Sequence, residues 1–186
     1  MRMQIKLDGD AVSGLFPILA KQNQSFAFSQ MQINIKNNTL QMVALSEVMI
    51  GIYERPLGEG EYSDDCSFCV PLHKFGNAKF FKNYNILFIG TDDYKNFKFW
   101  ANGNIFDFKK ETFNFPKWDF LLVTDGEPLS TYRVFDPKLL KIAQDFLEDG
   151  YYKTPMAKKS CSQVQWDYVK NNIKKTVVLM PLYVND

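Results

Sequence analysis

The side chains best suited to hold a metal ion are three cysteines and the single histidine of the chain. Cys66 and Cys69 form a C-x-x-C pair, His73 follows four residues later, and Cys161 could complete a Cys3His zinc site. The residues around the pair are typical of a strand, which would place the two cysteines on opposite faces, and the sequence has no second pair. A redox role is disfavoured because a proline, rather than a helix-opening glycine context, follows the pair. The sequence therefore predicts buried thiols, with no metal and no cofactor.

No other arrangement typical of an active site stands out in the sequence. The single histidine has no partner in a catalytic motif, and the glycines do not form a phosphate-cradling loop. An enzyme that uses hydroxyl or carboxylate chemistry is therefore poorly supported. A zinc enzyme built on the cysteines is the enzymatic alternative, and we expect a protein without catalytic activity.

The composition is that of a folded, sheet-rich protein. Of 186 residues, 46% are hydrophobic and 16% are aromatic, which favours a packed domain over a disordered chain. The 17 Phe and 9 Tyr suit the half-buried surface of a sheet. No apolar run approaches the ~20 residues of a membrane span, and the first residues have no apolar signal core. We therefore expect a cytoplasmic protein.

The predicted elements recur in the same order. Residues 1–55 and 62–115 each show a strand, a helix and three strands, although the two segments share no obvious sequence identity. The first helix is predicted at 11–22, where Pro17 should kink or shorten it, and the second at 71–82. Two such units favour an α+β fold, with antiparallel sheets and both helices packed on one side.

The FPKW sequence at 115–118 ends this repeated part, because proline cannot continue a ladder of strand hydrogen bonds. A turn is indicated by DGEP at 125–128. We therefore divide the chain into a domain of two repeated units at 1–115, a linker at 116–131 and a partial (half) unit at 132–186.

The half unit repeats only the beginning of the pattern. A short strand is predicted at 132–135, and Asp136 then caps a helix at 137–149. A polar segment at 151–162 is predicted to be a loop, and two further strands follow it. Tight turns along the whole chain are predicted at Asn37-Asn38, Asn102-Gly103 and Asn171-Asn172.

In their order, these features resemble the bacterial DNA sliding clamp, the β subunit of the replicative polymerase. They are most similar to the shortened clamp-like proteins of phages and mobile elements. In that family an FP plus an aromatic closes a domain, here at 115–118, and an F-D/N-x-K-x-L motif starts a helix, here FDPKLL at 135–140. The family ends in MPMR or a variant, here MPL at 180–182, and its recurring hairpin resembles residues 31–54. Tyr183 departs from the family's usual terminal basic residue.

The resemblance implies a protein that catalyses nothing, oligomerises around or along duplex DNA and tethers a polymerase as a processivity factor. An alternative is a clamp-fold interaction or regulatory protein of phage type that does not encircle DNA. The two differ in whether the helices gather lysines on one concave surface.

Contact with DNA would be weak and independent of sequence, because a sliding protein needs loose phosphate contacts. Lys and Arg number 22 against 21 Asp and Glu, so such contacts must come from a local patch. The resemblance implies lysines on the second and third helices: Lys74, Lys79, Lys82, Lys138 and Lys141. The alternative is an ordinary solvated surface, since the first three do not share one helical face. Asp145, Glu148 and Asp149 also make the end of the third helix acidic.

The resemblance also implies a cleft near the C-terminus that takes the clamp-binding peptides of polymerases and repair proteins. Its residues, by motif, are Val178, Met180, Pro181 and Leu182. Met suits such a surface because its flexible side chain adapts to several partners. The alternative is that the last strand belongs to the core and that its end frays.

Self-association is expected from the third helix. One of its faces is an apolar stripe that a few short strands cannot cover fully. The stripe consists of Leu139, Leu140, Ile142, Phe146 and Leu147. The first domain can cover part of it, and a second copy related by a two-fold axis is the simplest full cover. The chain holds about one and a half clamp-type domains, so the expected dimer would hold three, and four chains would supply the six of a closed clamp.

Overall fold

The computed structural model describes residues 3–19, 27–71, 85–90, 96–101, 104–109, 115–128, 135–148, 155–157 and 163–181. Within these ranges the chain forms two α-helices and twelve β-strands. The helices are α1 (Gly9–Leu15) and α2 (Pro137–Leu147). The strands are β1 (Met3–Asp8), β2 (Met31–Lys36), β3 (Thr39–Leu45), β4 (Met49–Pro56), β5 (Cys66–Val70), β6 (Asn85–Gly90), β7 (Asn96–Ala101), β8 (Asn104–Lys109), β9 (Glu127–Pro128), β10 (Met156–Ala157), β11 (Val164–Lys170) and β12 (Ile173–Leu179).

The strands of this described part form two sheets. One has four strands in the order β1-β6-β7-β8, and the other has eight in the order β5-β2-β3-β4-β12-β11-β10-β9. Every strand pair is antiparallel, which confirms the predicted α+β class with antiparallel sheets. The larger sheet is continuous from β5 to β9 because β4 pairs with β12 over six residues. The proposed division of the chain at 116–131 remains a prediction.

Two of the predicted turns are confirmed. Asn37 and Asn38 have φ of 49° and 60°, and Asn171 and Asn172 have φ of 50° and 63°. Positive φ at both central residues is the requirement of the type I′ hairpin turn, and Asn tolerates it better than most residues. The third predicted turn, at 102–103, lies outside the described residues.

The first helix is shorter than predicted. The Asp8 side chain accepts from the N–H groups of Asp10 and Ala11 at 2.9 and 3.3 Å, so Asp8 is the N-cap of α1. The α-helix ends at Leu15 and passes into a 3-10 turn at Phe16–Ile18. The predicted shortening by Pro17 is confirmed, because proline has no N–H to continue the helix, and the helix does not reach residue 22.

The start of α2 is confirmed. The Asp136 carboxylate accepts from the N–H of Lys138 at 2.8 Å, and Pro137 occupies the first helical position, where its missing N–H costs nothing. The α-helix ends at Leu147, two residues before the predicted end, and Glu148 follows with φ of 67°.

The main core lies between the helices, β1 and one face of the larger sheet. α1 and α2 contact each other, and both contact β4. The stripe of α2 is part of this core, since Phe146 and Leu147 are buried and Leu139, Leu140 and Ile142 pack against it. The chain thus covers part of the stripe itself, as expected, while Leu139, Leu140 and Ile142 stay only partly buried, so cover by a second copy remains a prediction.

Close approach of α1 to the sheet depends on a glycine. A Cβ at Gly51, in β4, would lie 2.2 Å from Cδ1 of Ile18 and 2.9 Å from Cδ2 of Leu15. Gly14 allows a milder contact between the helices, where a Cβ would lie 3.0 Å from Cδ2 of Phe146.

Two further predictions were wrong at the edge of the larger sheet. The predicted turn at 125–128 and the predicted loop at 151–162 each contain a two-residue strand, β9 and β10, and these pair with each other. Pro128 is tolerated there because β9 is an edge strand. The predicted helix at 72–82 and all of the strand at 132–135 except its last residue lie outside the described residues.

Candidate partner-binding site

The face of the larger sheet away from the helices, the outer face, carries its side chains in cross-strand rows. The strand register defines a first row of Leu45, Ile50, Val178 and Gln165. It defines a second row of Gln32, Val43, Ile52, Thr176 and Asp167. The apolar members of these rows form a second buried cluster, separate from the main core.

A third row on the outer face is polar throughout. Ser67 Oγ donates to Asn34 Oδ1 at 2.7 Å, and Asn34 Nδ2 donates to Gln41 Oε1 at 2.8 Å. Gln41 Nε2 then donates to Glu54 Oε1 at 3.1 Å, and Lys174 Nζ lies 3.9 Å from Glu54 Oε2. A cleft of about 590 Å³ opens over this row. Its polar wall is engaged in these hydrogen bonds, so it offers no poised acid–base pair.

A segment at 115–123, which we call the strap, crosses the first two rows. Its partly buried apolar side chains on the second cluster are Phe115, Trp118, Leu121 and Leu122. Trp118 Nε1 donates to Gln32 Oε1 at 3.1 Å, which ties the strap to β2. Gln163 Nε2 donates to the Leu121 carbonyl at 2.8 Å, and the N–H of Val123 donates to Gln165 Oε1 at 2.8 Å. Part of the predicted linker is therefore fixed on the sheet.

The end of the strap beside β11 is oriented by a polar network. Gln165 Nε2 donates to the Asp167 carboxylate at 3.2 Å, and Thr176 Oγ1 donates to the same carboxylate at 2.6 Å. The Gln165 amide is thus held with its oxygen toward Val123. Because these groups are partly or fully buried, each hydrogen bond restrains the strap more than it would in water.

The predicted peptide-binding residues occupy different depths. Val178 is 2% exposed within the second cluster, and Pro181 is buried. Met180 is partly exposed, and its N–H donates to the Val48 carbonyl at 3.0 Å. Leu182 lies outside the described residues. Of the four, Met180 is the one whose side chain the structure places at the surface.

Two exposed apolar residues near Met180 were not singled out from the sequence. Val48 is 42% exposed and Phe120 is 66% exposed. Continuing the β11–β12 register places Gln163 opposite Met180, and Gln163 holds Leu121. From these links we infer that Val48, Met180, Leu121 and its chain neighbour Phe120 lie at the same end of the outer face, and we call these four residues the terminal patch. The sequence signal for Phe120 was its position in an apolar run directly after FPKW.

The helix lysines are only partly described. Lys138 and Lys141 are exposed on α2, and Lys141 Nζ lies 2.6 Å from Asp145 Oδ1 one helical turn away. α1 adds Asp10, so the charged side chains of the two described helices are two lysines and two aspartates. The remaining candidates, Lys74, Lys79 and Lys82, lie outside the described residues.

A buried lysine was not foreseen from the sequence. Lys175 Nζ lies 2.5 Å from Glu148 Oε1 and about 5.5 and 5.8 Å from the ring centres of Phe146 and Tyr168. This arrangement combines an ion pair with two cation–π contacts. It fixes the end of α2 to β12, so we assign Lys175 to the fold and not to DNA contact.

The cysteines lie as the strand pattern predicted. Cys66 pairs with Ile35 and packs against the main core, whereas Cys69 pairs with Gln32 on the opposite side of β5. Within the described ranges, no three His, Cys, Asp or Glu side chains come close enough to hold a metal ion. His73 and Cys161 lie outside those ranges, so a metal-free protein remains a prediction.

A buried ion pair joins β4 to the segment after it. Arg55 Nη1 lies 2.7 Å from Glu61 Oε2, and the Glu61 side chain is 3% exposed. Burial alone would raise the pKa of Glu61. Hydrogen bonds from Arg55 and from the N–H groups of Lys6 and Gly58 outweigh it and hold the pKa below its usual value. Burial also raises the pKa of Tyr53 to about 12, with help from Asp8.

The architecture matches solved bacterial DNA clamps. A Helicobacter pylori beta clamp in complex with diflunisal has a TM-score of 0.75 and 12% identity, with 98% of this chain and 66% of that chain covered. The DNA polymerase III beta subunit of Thermotoga maritima has a TM-score of 0.69 and 11% identity over the same shares. A Helicobacter pylori beta clamp bound to a DNA ligase peptide has a TM-score of 0.72 and 12% identity, again over 98% and 66%.

These similarities confirm the clamp-like fold predicted from the sequence motifs. The chain spans 66% of the length of each of these three clamps. The sequence itself matches no protein-family model and no curated protein. Neither described helix combines the length and the apolar composition that a membrane span requires.

Proposed function

We propose that the protein is a non-catalytic, clamp-like tethering protein that docks partner peptides on the terminal patch. The observation that carries this proposal is the exposure of apolar side chains around Met180, on a fold shared with a clamp that has been solved with a DNA ligase peptide. Binding would place a partner beside the strap, and the second cluster would form the floor of the site.

The terminal patch has the composition expected of a peptide site. Phe120 offers a large exposed ring, and Met180 offers a flexible side chain that adapts to different partners. Beneath them, Val178 and the strap supply a rigid apolar support. Ligand sites are mostly apolar surfaces with a few polar groups that fix orientation, and Gln163 and Gln165 lie at this end of the sheet.

The peptide function is tested with the DNA ligase peptide and three variants. Val48→Asp should weaken binding by about 2 kcal/mol, or about thirtyfold, because a charge replaces an apolar contact. A chain truncated after Leu179 should lose binding. Val169→Asp is the matched control, since Val169 is 54% exposed on the same face at the opposite end of β11. Equal affinity for all of these proteins, or no binding by the wild type, contradicts the proposal.

DNA tethering is the second element of the proposal. Because the chain spans about two thirds of a solved clamp, several copies would be needed to surround a duplex. The candidates for phosphate contact are Lys74, Lys79, Lys82, Lys138 and Lys141. Light scattering at micromolar concentration tests assembly. Greater retention on nicked circular DNA than on linear DNA of the same sequence is the signature of an encircling ring.

A second candidate function is a clamp-fold interaction protein that does not encircle DNA. The pairing of Lys141 with Asp145 favours it, because a lysine held by an aspartate has less charge to offer a phosphate. This candidate predicts peptide binding without salt-dependent DNA binding. The two functions therefore share the terminal patch and differ on the helix surface.

A further inference from the structure

One buried amide on the outer face lacks the hydrogen bonds that its burial calls for. Gln30 directly precedes β2 and is 1% exposed. Neither Nε2 nor Oε1 of its carboxamide has a hydrogen-bond partner in the part of the chain that the structure describes. Buried polar groups are nearly always paired because an unpaired group loses its bonds to water without replacement. Among the described residues Gln30 is therefore a buried amide that a hydrogen-bonding partner would stabilise.

The register of the sheet locates this amide. Met31 faces the main core, so the alternation along β2 turns Gln30 toward the outer face. Gln32 pairs with Val43, and continuing that register by two residues places Gln30 opposite Leu45. Gln30 thus lies at one end of the apolar first row. The other end of that row is Gln165, whose amide oxygen accepts from the strap.

The same amide lies opposite the strand that leads into the hairpin turn of Val48, one residue of the terminal patch. Leu45 directly precedes the turn that carries Val48, and Ser46 closes this turn by accepting from the N–H of Met49 at 3.1 Å. The apolar side chains over the second cluster, Phe28 and those of the strap, are only partly buried. Changes of side-chain rotamer at such partly buried residues are common when a partner binds, and a change of this kind is the route by which a partner would reach Gln30.

We propose that Gln30 is a specificity-determining residue that receives an amide group of the docked partner, an inference that rests on the proposed peptide function. A carboxamide presents a donor and an acceptor side by side, and so does a peptide group or an Asn or Gln side chain. Among apolar neighbours such a bond pair is strong and fixes orientation. The partner supplies the hydrogen bonds that Gln30 lacks within the described residues.

The test uses Gln30→Met, which keeps the shape and removes both polar atoms. Melting temperature should rise by about 3 °C, because an unpaired buried amide is lost. Affinity for the DNA ligase peptide should fall about tenfold, because an amide group of the peptide loses its hydrogen bonds to the Gln30 carboxamide. Gln32→Met is the matched control, since Gln32 bonds to Trp118 and Ser67, and its melting temperature should fall.

Each outcome of these measurements either supports or overturns the inference. A lower melting temperature for Gln30→Met shows that the amide is paired within the protein and overturns the inference. Unchanged peptide affinity overturns it as well, and leaves the peptide function intact if truncation after Leu179 still abolishes binding. No binding by the wild type overturns both. Each Asn and Gln of the peptide is also replaced by alanine, and binding to the wild type and to Gln30→Met is compared. If one replacement weakens binding to the wild type but not to Gln30→Met, the group bound is that side-chain amide, and otherwise it is a main-chain amide.

Discussion

Gly51→Ala should destabilise the protein by pushing α1 off the sheet. The added Cβ would lie 2.2 Å from Cδ1 of Ile18, well inside van der Waals contact, so the packed Ile18 side chain, the 3-10 turn or β4 has to move. Overpacking of this kind costs about 1–3 kcal/mol. For a chain of this length each kcal/mol lowers the melting temperature by about 2–4 °C, so we expect a decrease of about 2–12 °C.

A double-mutant cycle tests this geometry. Ile18→Val removes the clashing Cδ1 and by itself costs about 0.5–1.5 kcal/mol through the space it leaves. In the double variant the methyl group added by Gly51→Ala fills that space. The loss of unfolding free energy should therefore be about 1 kcal/mol smaller than the sum of the losses in the two single variants. Urea unfolding followed by tryptophan fluorescence measures all four proteins.

The control is Gly14→Ala. Its Cβ would lie 3.0 Å from Cδ2 of Phe146, and alanine gains about 1 kcal/mol of helix propensity over glycine. This variant should be less destabilised than Gly51→Ala. If the loss of unfolding free energy in the double variant equals the sum of the losses in Gly51→Ala and Ile18→Val to within about 0.5 kcal/mol, the close contact is refuted.

Joint replacement of Lys138 and Lys141 by alanine should weaken binding of a short duplex and reduce its salt slope by about two, whereas Lys174→Ala on the outer face should change neither. Fluorescence anisotropy at several salt concentrations measures the affinity for DNA and its salt slope. If Lys174→Ala weakens binding as much as the double replacement does, the surface of α2 is not the site of DNA contact. The pKa of Glu61 in the folded protein lies below the ordinary glutamate value of 4.5, so the unfolded chain takes up the proton first as pH decreases. The free energy of unfolding should therefore fall as pH decreases below about 4.5. Urea unfolding between neutral and acid pH should show a smaller decrease for Glu61→Gln, and an unchanged decrease would contradict this assignment.

Local sequence signals predicted local structure well. Asp8 and Asp136 cap their helices, and the two Asn-Asn pairs form tight turns, because each depends only on residues next to it. The strap escaped prediction for the opposite reason. Its ties join Trp118 to Gln32 and Val123 to Gln165, which are 86 and 42 residues apart in sequence.

The candidate site was predicted only in part. Met180 was singled out by its place in a terminal motif, and the alternative that the last strand belongs to the core applies to Val178, which lies two residues away in the second cluster. Val48 and Phe120 join the patch through register and packing, which no local pattern encodes. How far the chain itself covers the stripe of α2 could not be predicted, because a helix face does not reveal which neighbour packs on it.

The pairing of β4 with β12 has a consequence for how the chain folds. Ile50 pairs with Val178, a separation of 178 − 50 = 128 residues, at the centre of the larger sheet. Until the last strand has been synthesised, β4 offers an open edge beside the apolar rows, and such edges invite pairing with other chains. Non-local pairing of this kind also slows folding. The nascent chain therefore spends most of its synthesis with its central strand unprotected, and its yield in the cell should depend on chaperones that shield that edge.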